Sequence, residues 1–217
     1  MPRSLSDAFD LFLAAASDSS LWSAAMDAVA DATGAYGAAL LPLRFQLPNF
    51  ARSRSLEPPK DAHVGDGWFR RGEQPIAFEN IGAAAEFDFI TPDEIARHPF
   101  YEEFFRFHKL RWFAGAKIEA GEDLWYLSVQ RKIQKVPFSS SEQQELGAFS
   151  ESLIGVGGLA RAIRIAWAEG ALAAFDESET AVVLFDCRGA VWRYNICAKT
   201  ILGSGLTIFN RRLISDD

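Results

Sequence analysis

The chain is poor in the residues that build metal centres and covalent cross-links. Its 217 residues include two cysteines, Cys187 and Cys197, and three histidines, His63, His98 and His108. That is too little for a disulfide framework, and neither Cys-x-x-Cys nor His-x-x-x-His spacing accompanies them, so no metal site is expected. A long apolar run is also missing. Gly34 to Leu43 is the most apolar stretch, far short of the roughly 20 residues a bilayer crossing needs. Near the N-terminus, Asp7 and Asp10 interrupt what would otherwise have the outline of a signal sequence, and Arg3 alone makes a weak positive region. Cations are not in excess: 22 Lys and Arg against 29 Asp and Glu give a net charge of −7. Nucleic-acid binding relies on clustered Lys and Arg, so direct contact with DNA is not expected of these residues. The expected setting is the cytoplasm, with no membrane partner.

Catalytic signatures are equally scarce. No Gly-x-Ser-x-Gly elbow occurs. Glu102 and Glu103 are adjacent, so on a helix they point in different directions rather than at one substrate. Glu119, Glu122 and Asp123 fall at a predicted hairpin tip, where turn chemistry accounts for them. Gly155-Val-Gly-Gly-Leu-Ala160 fits G-x-G-x-x-A in letters only, because it lies inside a predicted helix rather than at a strand-to-helix turn. Neither an enzymatic activity nor a cofactor is expected. Cys187 and Cys197 would form a redox pair only if folding brought them within about 6 Å.

What the chain does have is apolar and aromatic mass: 49% hydrophobic residues, with 18 Phe, 6 Trp and 4 Tyr. That composition excludes wholesale disorder and supports a substantial core. Leu5, Phe9, Phe12, Leu13 and Ala16 share one face of a first helix. Ser19-Ser20 precedes a second helix from Leu21 to Thr33, with Trp22, Ala25, Met26 and Val29 inward and Gly34 as its stop. Ala38 to Phe45 reads as a strand whose Pro42 suggests an edge or a bulge. The Pro48 to Pro59 stretch is irregular, and Asp61 to Arg71 is expected to be a short helix. Thr91-Pro92-Asp93-Glu94 has the form of a capped helix start, and Phe100 to Phe107 comes next as another helical segment. Arg111 to Glu119 and Leu124 to Lys132 alternate in polarity about Ala-Gly-Glu-Asp, which predicts an antiparallel hairpin.

Ser139 to Glu142 then caps a long helix, 141–174. Leu146, Phe149, Leu153, Val156, Ala160, Ile163 and Trp167 step by three and four along it. Gly155, Gly157 and Gly158 interrupt that helix at a cost of about 1 kcal/mol each relative to Ala. Close packing against this flat patch would offset the cost, with either the sheet or a second copy as the partner. Leu146, Phe149, Leu153, Val156, Ile163 and Trp167 are the candidate homodimer contact. The last 40 residues predict a strand over 181–186, a turn, a strand over 190–194 and a helix capped by Asn195 and ended by Gly203, with a polar end after it.

Several of these segments together resemble LuxR-type helix-turn-helix regulators of bacteria. Thr91-Pro92-Asp93-Glu94, Pro99-Phe100-Tyr101-Glu102-Glu103-Phe104 and Leu110-Arg111-Trp112 resemble the family's "eEl…pfYeef…gl.w" pattern. Gln130-Arg131, Val136-Pro137-Phe138-Ser139 and Glu142…Leu146 resemble the family's next pattern, "R…gpFs..E…L". Ala181 to Trp192, Asn195, Ala198 and Leu202 resemble "gvvllD.rGrv…N..Ae.lL". The resemblance covers about residues 20 to 213. It implies a GAF-like sensor and then a partial PAS-like segment, within an α+β architecture of an antiparallel sheet flanked by helices, with a long C-terminal helix and a short ββα extension. The expected division is 1–175 and 176–217. The family's helix-turn-helix domain is absent from these residues, so DNA would be reached only through such a domain. The resemblance further implies a small-molecule ligand between the sheet and the helices of the aromatic-rich region. Trp68, Phe104, Trp112 and Tyr126 are the candidate aromatic lining, and Arg111, Arg70 or Arg71 a candidate partner for a ligand carboxylate.

Overall fold

A computed structural model describes residues 4–42, 50–59, 61, 82–121, 123–186, 189–203 and 205–215. The expected helix 61–71, together with Trp68, Arg70, Arg71 and Cys187, lies almost wholly outside the described residues. The chain forms two compact units, Met1–Ala160 and Arg161–Asp217.

The first unit is built on five antiparallel strands in the order β2-β1-β5-β4-β3: β1 Gly37–Pro42, β2 Ala51–Arg52, β3 Ala83–Ala85, β4 Leu110–Ala120 and β5 Asp123–Lys132. The predicted hairpin is β4–β5, turning at Gly121 with φ +67°, and its register sets Ala116 against Leu127 and Gly115 against Ser128. β1 lies between β2 and β5 rather than at an edge. Pro42 is nevertheless tolerated, because it pairs with Trp125 of β5 while the register with β2 covers only Ala39 and Leu40.

Strand alternation sorts the sheet into two faces. Ala38, Leu40, Ala114, Ala116, Ile118, Leu127 and Val129 join a core with helices α1 (Leu5–Ser17) and α2 (Trp22–Ala32). α1 buries Ala8, Phe12 and Ala15, so its inner face is rotated from the expected one and Leu13 is exposed. Small alanines at the contact let the helix axis approach closely. The turn between the two helices is capped by Asp18 rather than by a serine: its carboxylate accepts from the Ser20 N–H at 3.0 Å. Gly34, at φ +61°, ends α2 as expected.

The helix α3 (Pro92–Ile95) has the predicted capping box, with Glu94 Oε2 accepting from the Thr91 N–H at 2.9 Å and Thr91 Oγ1 from the Glu94 N–H at 3.3 Å. Phe100–Phe105 is a π-helix rather than an α-helix. The wider turn buries Phe100, Tyr101, Phe104 and Phe105 together, more large side chains than an α-helical stripe of that length could turn inward.

The long helix α4 runs from Ser140 to Glu177. Leu146, Phe149, Leu153 and Val156 are buried in the same core as α1 and α2, which makes the sheet the partner of that part of the stripe. A Cβ on Gly157 would come within 2.5 Å of the Ala120 Cβ, and one on Gly147 within 3.0 Å of the Ala83 Cβ, so these two glycines set the approach of α4 to β4 and β3. Gly155 and Gly158 face open space. Among the described residues α4 alone has the length and apolar composition to cross a membrane, and its buried leucines and Phe149 lie inside protein.

The second unit holds β6 (Val183–Phe185), β7 (Val191–Tyr194) and α5 (Ile196–Ile201). Asn195 caps α5, accepting from Ala198 N–H at 2.9 Å, while its amide donates to the Thr180 carbonyl at 2.8 Å. The chain does not end in a polar coil: β8 (Leu206–Phe209) and β9 (Arg212–Ser215) form a hairpin. Asn210 and Arg211, both at positive φ, supply the two-residue turn. Within the second unit the last turns of α4 bind β7 and the start of α5. Asp176 accepts from the Ile196 and Cys197 N–H groups at 3.2 and 2.9 Å, and Glu169 pairs with Arg193 at 3.1 Å.

Candidate functional site

The face of the sheet opposite α1 and α2 carries a different population of side chains. Phe113, Gly115, Tyr126 and Ser128 alternate onto it. Here Ile90, Ile95, Phe100, Tyr101, Phe104, Phe105 and Leu110 form a second apolar cluster. The Tyr126 ring lies directly over Gly115, whose missing side chain makes room for it. Phe89 stacks on Phe113 at 6.2 Å between centroids.

Into this aromatic surround the fold places a carboxylate. Glu86, one residue past β3, is 1% exposed. Its Oε2 accepts from the Phe113 N–H at 2.9 Å, while its Oε1 is buried without a hydrogen-bond partner. Two more polar atoms in the same neighbourhood share that condition, the Tyr101 hydroxyl and Arg111 Nη1. Arg111 is the extra residue at the β4–β5 register shift between Leu110 and Trp112. A bulge re-aims a side chain, and the Arg111 guanidinium stands 5.7 Å from the centre of the Tyr101 ring.

The electrostatics arise from burial. Desolvation pushes the Glu86 carboxyl up to about 7, against hydrogen bonding from Tyr101 and Phe113 and the attraction of Arg111. The Tyr101 hydroxyl is close enough to act on the carboxylate, yet the two do not meet in full hydrogen-bond geometry. Burial, then the Glu86 charge, drives the Tyr101 phenol far above its ordinary value, so it stays protonated. Since the folded state holds the Glu86 proton more tightly than the unfolded chain, stability falls as pH rises from 4.5 towards 7 and levels off above. The loss from this group is on the order of 3 kcal/mol. Glu86→Gln is expected to flatten that dependence: urea midpoints of variant and wild type, compared from pH 5 to 8, should diverge in favour of the variant as pH rises. Parallel curves would contradict the burial of an ionisable carboxyl.

The fold brings together Phe104, Tyr126 and Arg111 of the expected lining on this side of the sheet. Trp112 is not with them. It packs against the α1–α2 core, donates from Nε1 to the Lys135 carbonyl at 2.7 Å and meets Phe87 at a tilt, with the Arg111 guanidinium 4.8 Å from its ring centre. Simple alternation is the reason: Trp112 shares its face with Ala114 and Ala116, whereas Tyr126 shares the other with Phe113 and Gly115. Arg111 lies close enough to Glu86 for its charge to favour the ionised carboxylate. The sequence alone singles out neither Glu86 nor Tyr101 as a site residue. A charged residue directly after Ala83-Ala-Ala in a strand is the available signal for Glu86.

A recess of about 490 Å³ opens on the other side, lined in part by Ser4, Leu5, Thr33, Phe138, Arg131 and Glu142. Two of its charged groups, Arg131 and Glu142, are already engaged. Arg131 donates to the Thr33 carbonyl at 2.7 Å and to both Glu142 oxygens, so it reads as a structural tie. Among the described residues no three His, Cys, Asp or Glu side chains group as metal ligands. Cys197 is a free thiol whose pKa is raised by burial and by Asp176, so the helix start does not favour thiolate there.

No family model matches the chain, and no curated protein does. Among solved structures, the chain is similar to the N-acylhomoserine lactone dependent LuxR family transcription factor CepR2 from Burkholderia cenocepacia, at 17% identity and a TM-score of 0.44. The match covers 70% of this chain and 90% of that one. Similarity at this level carries no functional argument by itself.

Proposed function

We propose that this chain is a sensory domain of a transcriptional regulator, binding a small molecule against the Tyr126 face of the sheet and relaying occupancy through α4 to a DNA-binding output domain. One observation carries the reading: inside an aromatic surround the buried Glu86 carboxylate and the Tyr101 hydroxyl meet only in imperfect geometry, and Arg111 Nη1 is buried without a hydrogen-bond partner. Each unsatisfied buried group costs about 1–3 kcal/mol, and such groups call for a ligand or solvent to complete them. The order of motifs from Thr91 to Leu146 that resembles LuxR-type regulators supports placing the sensor upstream of transcription. Occupancy would act by binding one arrangement of the domain more tightly than another, since only differential affinity shifts two states. Native mass spectrometry, with the same sample then denatured, tests this. A sensor purified loaded carries an extra mass of a few hundred daltons that is lost on denaturation, and one purified empty acquires such a mass from a metabolite extract. No added mass under either condition would sink the proposal.

A second reading, a homodimerisation module, is favoured by the outer face of α4. Ile154 and Leu159 are exposed there beside the open Gly155 and Gly158, and Trp167, five turns on from Phe149 along the stripe, is 68% exposed. Glycines with no neighbour gain nothing in a monomer, whereas a second copy of the helix could approach closely over them. Of the stripe expected at a dimer contact, Leu146, Phe149, Leu153 and Val156 are enclosed by the chain's own core, which leaves Ile163 and Trp167 for a partner. Leu159→Asp is therefore expected to give a folded monomer, and Leu153→Asp an unfolded chain. Light scattering coupled to gel filtration, with circular dichroism alongside, separates the two. A Leu159→Asp chain that stays dimeric would count against this face.

A further inference from the structure

The end of the sheet where β4 begins and β5 finishes presents a cationic and apolar surface in an acidic chain. Two turns meet there. The Lys109 carbonyl accepts from the Ile133 N–H at 3.0 Å, which ties the segment leaving the π-helix to the segment leaving β5. Phe107 and Val136 stand out from these turns at 78% and 73% exposure, and Ile133 is half exposed. Lys109, Lys132 and Lys135 are interleaved with them. The Lys132 ammonium rests 4.0 Å from the centre of the Tyr36 ring. Among the described residues no carboxylate pairs with any of the three lysines: Glu102 is held by Arg106 at 2.8 Å and Glu142 by Arg131. Glu103 is an exposed acid on the same stretch, one against three. Composition, from which no membrane partner is expected, averages over this patch at a net charge of −7.

Single apolar side chains on a surface are ordinary. Three of them on two bonded turns, among cations that no carboxylate neutralises, call for an anionic partner by charge complementarity. The type of cation separates a lipid surface from a protein. Protein interfaces are enriched in Arg and depleted in Lys. Lysines beside protruding apolar residues suit a headgroup layer instead: the ammonium meets lipid anions as a point charge, while its stem and its apolar neighbours enter the acyl boundary. We propose that this end of the sheet is a peripheral docking surface for anionic lipid, with Phe107, Ile133 and Val136 inserting and Lys109, Lys132 and Lys135 engaging headgroups. Acidic residues elsewhere on the chain oppose this only weakly, because charges beyond about 8 Å are screened at physiological ionic strength. Attachment is therefore local, oriented and sensitive to salt.

Co-sedimentation of the whole 217-residue chain with vesicles tests this. Vesicles of phosphatidylcholine with one third phosphatidylserine are expected to bind it at least tenfold more strongly than pure phosphatidylcholine at about 0.1 M salt, and about 1 M salt should release it. Lys109→Asn, Lys132→Gln and Lys135→Gln should each lower partitioning about fivefold, the effect of one cation at an anionic surface. Asn is chosen at Lys109 because it tolerates the φ of +56° there. Phe107→Ser combined with Val136→Ser should lower partitioning at least tenfold. Circular dichroism of every variant should match wild type, since these side chains are exposed or half-buried. Equal binding to both vesicles, or undiminished binding without the lysines, would overturn the inference. Binding to neither would overturn it too. If a soluble helical peptide of Glu and Leu bound instead, and the lysine variants lost it, the patch would belong to a protein partner and not to lipid.

Discussion

Gly115→Ala is expected to be among the most damaging single substitutions in the chain, although it adds one methyl group. The new Cβ would come within 2.1 Å of Tyr126 Cε1, 2.6 Å of its Cζ and 2.7 Å of the Leu127 carbonyl oxygen. The ring could swing away into the aromatic face. The carbonyl cannot, because β5 is held between β1 and β4. Overpacking of this kind costs on the order of 3 kcal/mol when one of the opposed groups is backbone. Tyr126→Ala alone removes a fully buried ring and should cost about 3–5 kcal/mol. The double variant then distinguishes the two clashes. Removing the ring relieves the first and leaves the second, so the double loss should be smaller than the sum by about 1–2 kcal/mol, the coupling seen between contacting residues. Urea unfolding of the four proteins gives the cycle. Strict additivity would mean that the ring does not rest on Gly115. For function, a Tyr126 ring displaced by Gly115→Ala would crowd the space near Glu86, so any mass retained in native spectra should be lost even where the variant folds.

The contrast between this pair and the rest of the face explains what is legible in the sequence. The hairpin is readable because alternation over ten residues on each side of a turn has a single interpretation. The capping box at Thr91 and the stop at Gly34 are readable because local hydrogen bonding and φ decide them. Tyr126 reaches the expected face for the same reason of period two. Trp112 does not, because the same period sets it on the face of Ala114 and Ala116, away from that of Phe113 and Gly115. The stripe on α4 is equally ambiguous in a different way. A three-four repeat states that one side of a helix is covered; whether a sheet or another helix covers it depends on residues far away in sequence, here Ala83 and Ala120 opposite Gly147 and Gly157. Glu86 and Tyr101 are hidden because their meaning is wholly tertiary. A glutamate after three alanines looks like a solvated strand end until Phe113 and the π-helix close over it. The terminal hairpin, by contrast, is within reach of sequence reasoning: Asn210-Arg211 stands between Leu206-Thr-Ile-Phe and Arg212-Leu-Ile-Ser, and Asn at a two-residue loop is a known turn signal.

Arg131→Met is the other substitution expected to have a large effect, and for a reason that involves three elements at once. From β5, the buried Arg131 side chain donates to the Thr33 carbonyl just beyond α2 at 2.7 Å, to the Pro137 carbonyl at 3.5 Å and to Glu142 in the first turn of α4. Its guanidinium carbon lies 3.8 Å from the centre of the Phe138 ring. Methionine keeps much of the apolar stem but none of the donors. Removing one member of a buried pair costs about 3–5 kcal/mol. Glu142 is 38% exposed and retains Ser139 and water, so the lower end, about 3 kcal/mol, is expected after allowance for solvent screening. Arg131→Lys should recover little, because one ammonium cannot reproduce a planar fork serving two carbonyls and a carboxylate. The pH dependence identifies the pair. Hydrogen bonding from Arg131, with help from Ser139, holds the Glu142 carboxyl down at about 2. For a carboxyl depressed in the folded state, the stabilisation is fully present above the unfolded value near 4.5 and is lost as pH falls towards 2. The gap in urea midpoint between wild type and Arg131→Met should therefore be constant from pH 6 to 8 and shrink from pH 4.5 to 3, the opposite trend to that expected of Glu86. A gap that stays constant down to pH 3 would mean that Arg131 contributes through the Thr33 carbonyl and Phe138 packing alone, with the charge of Glu142 playing no part.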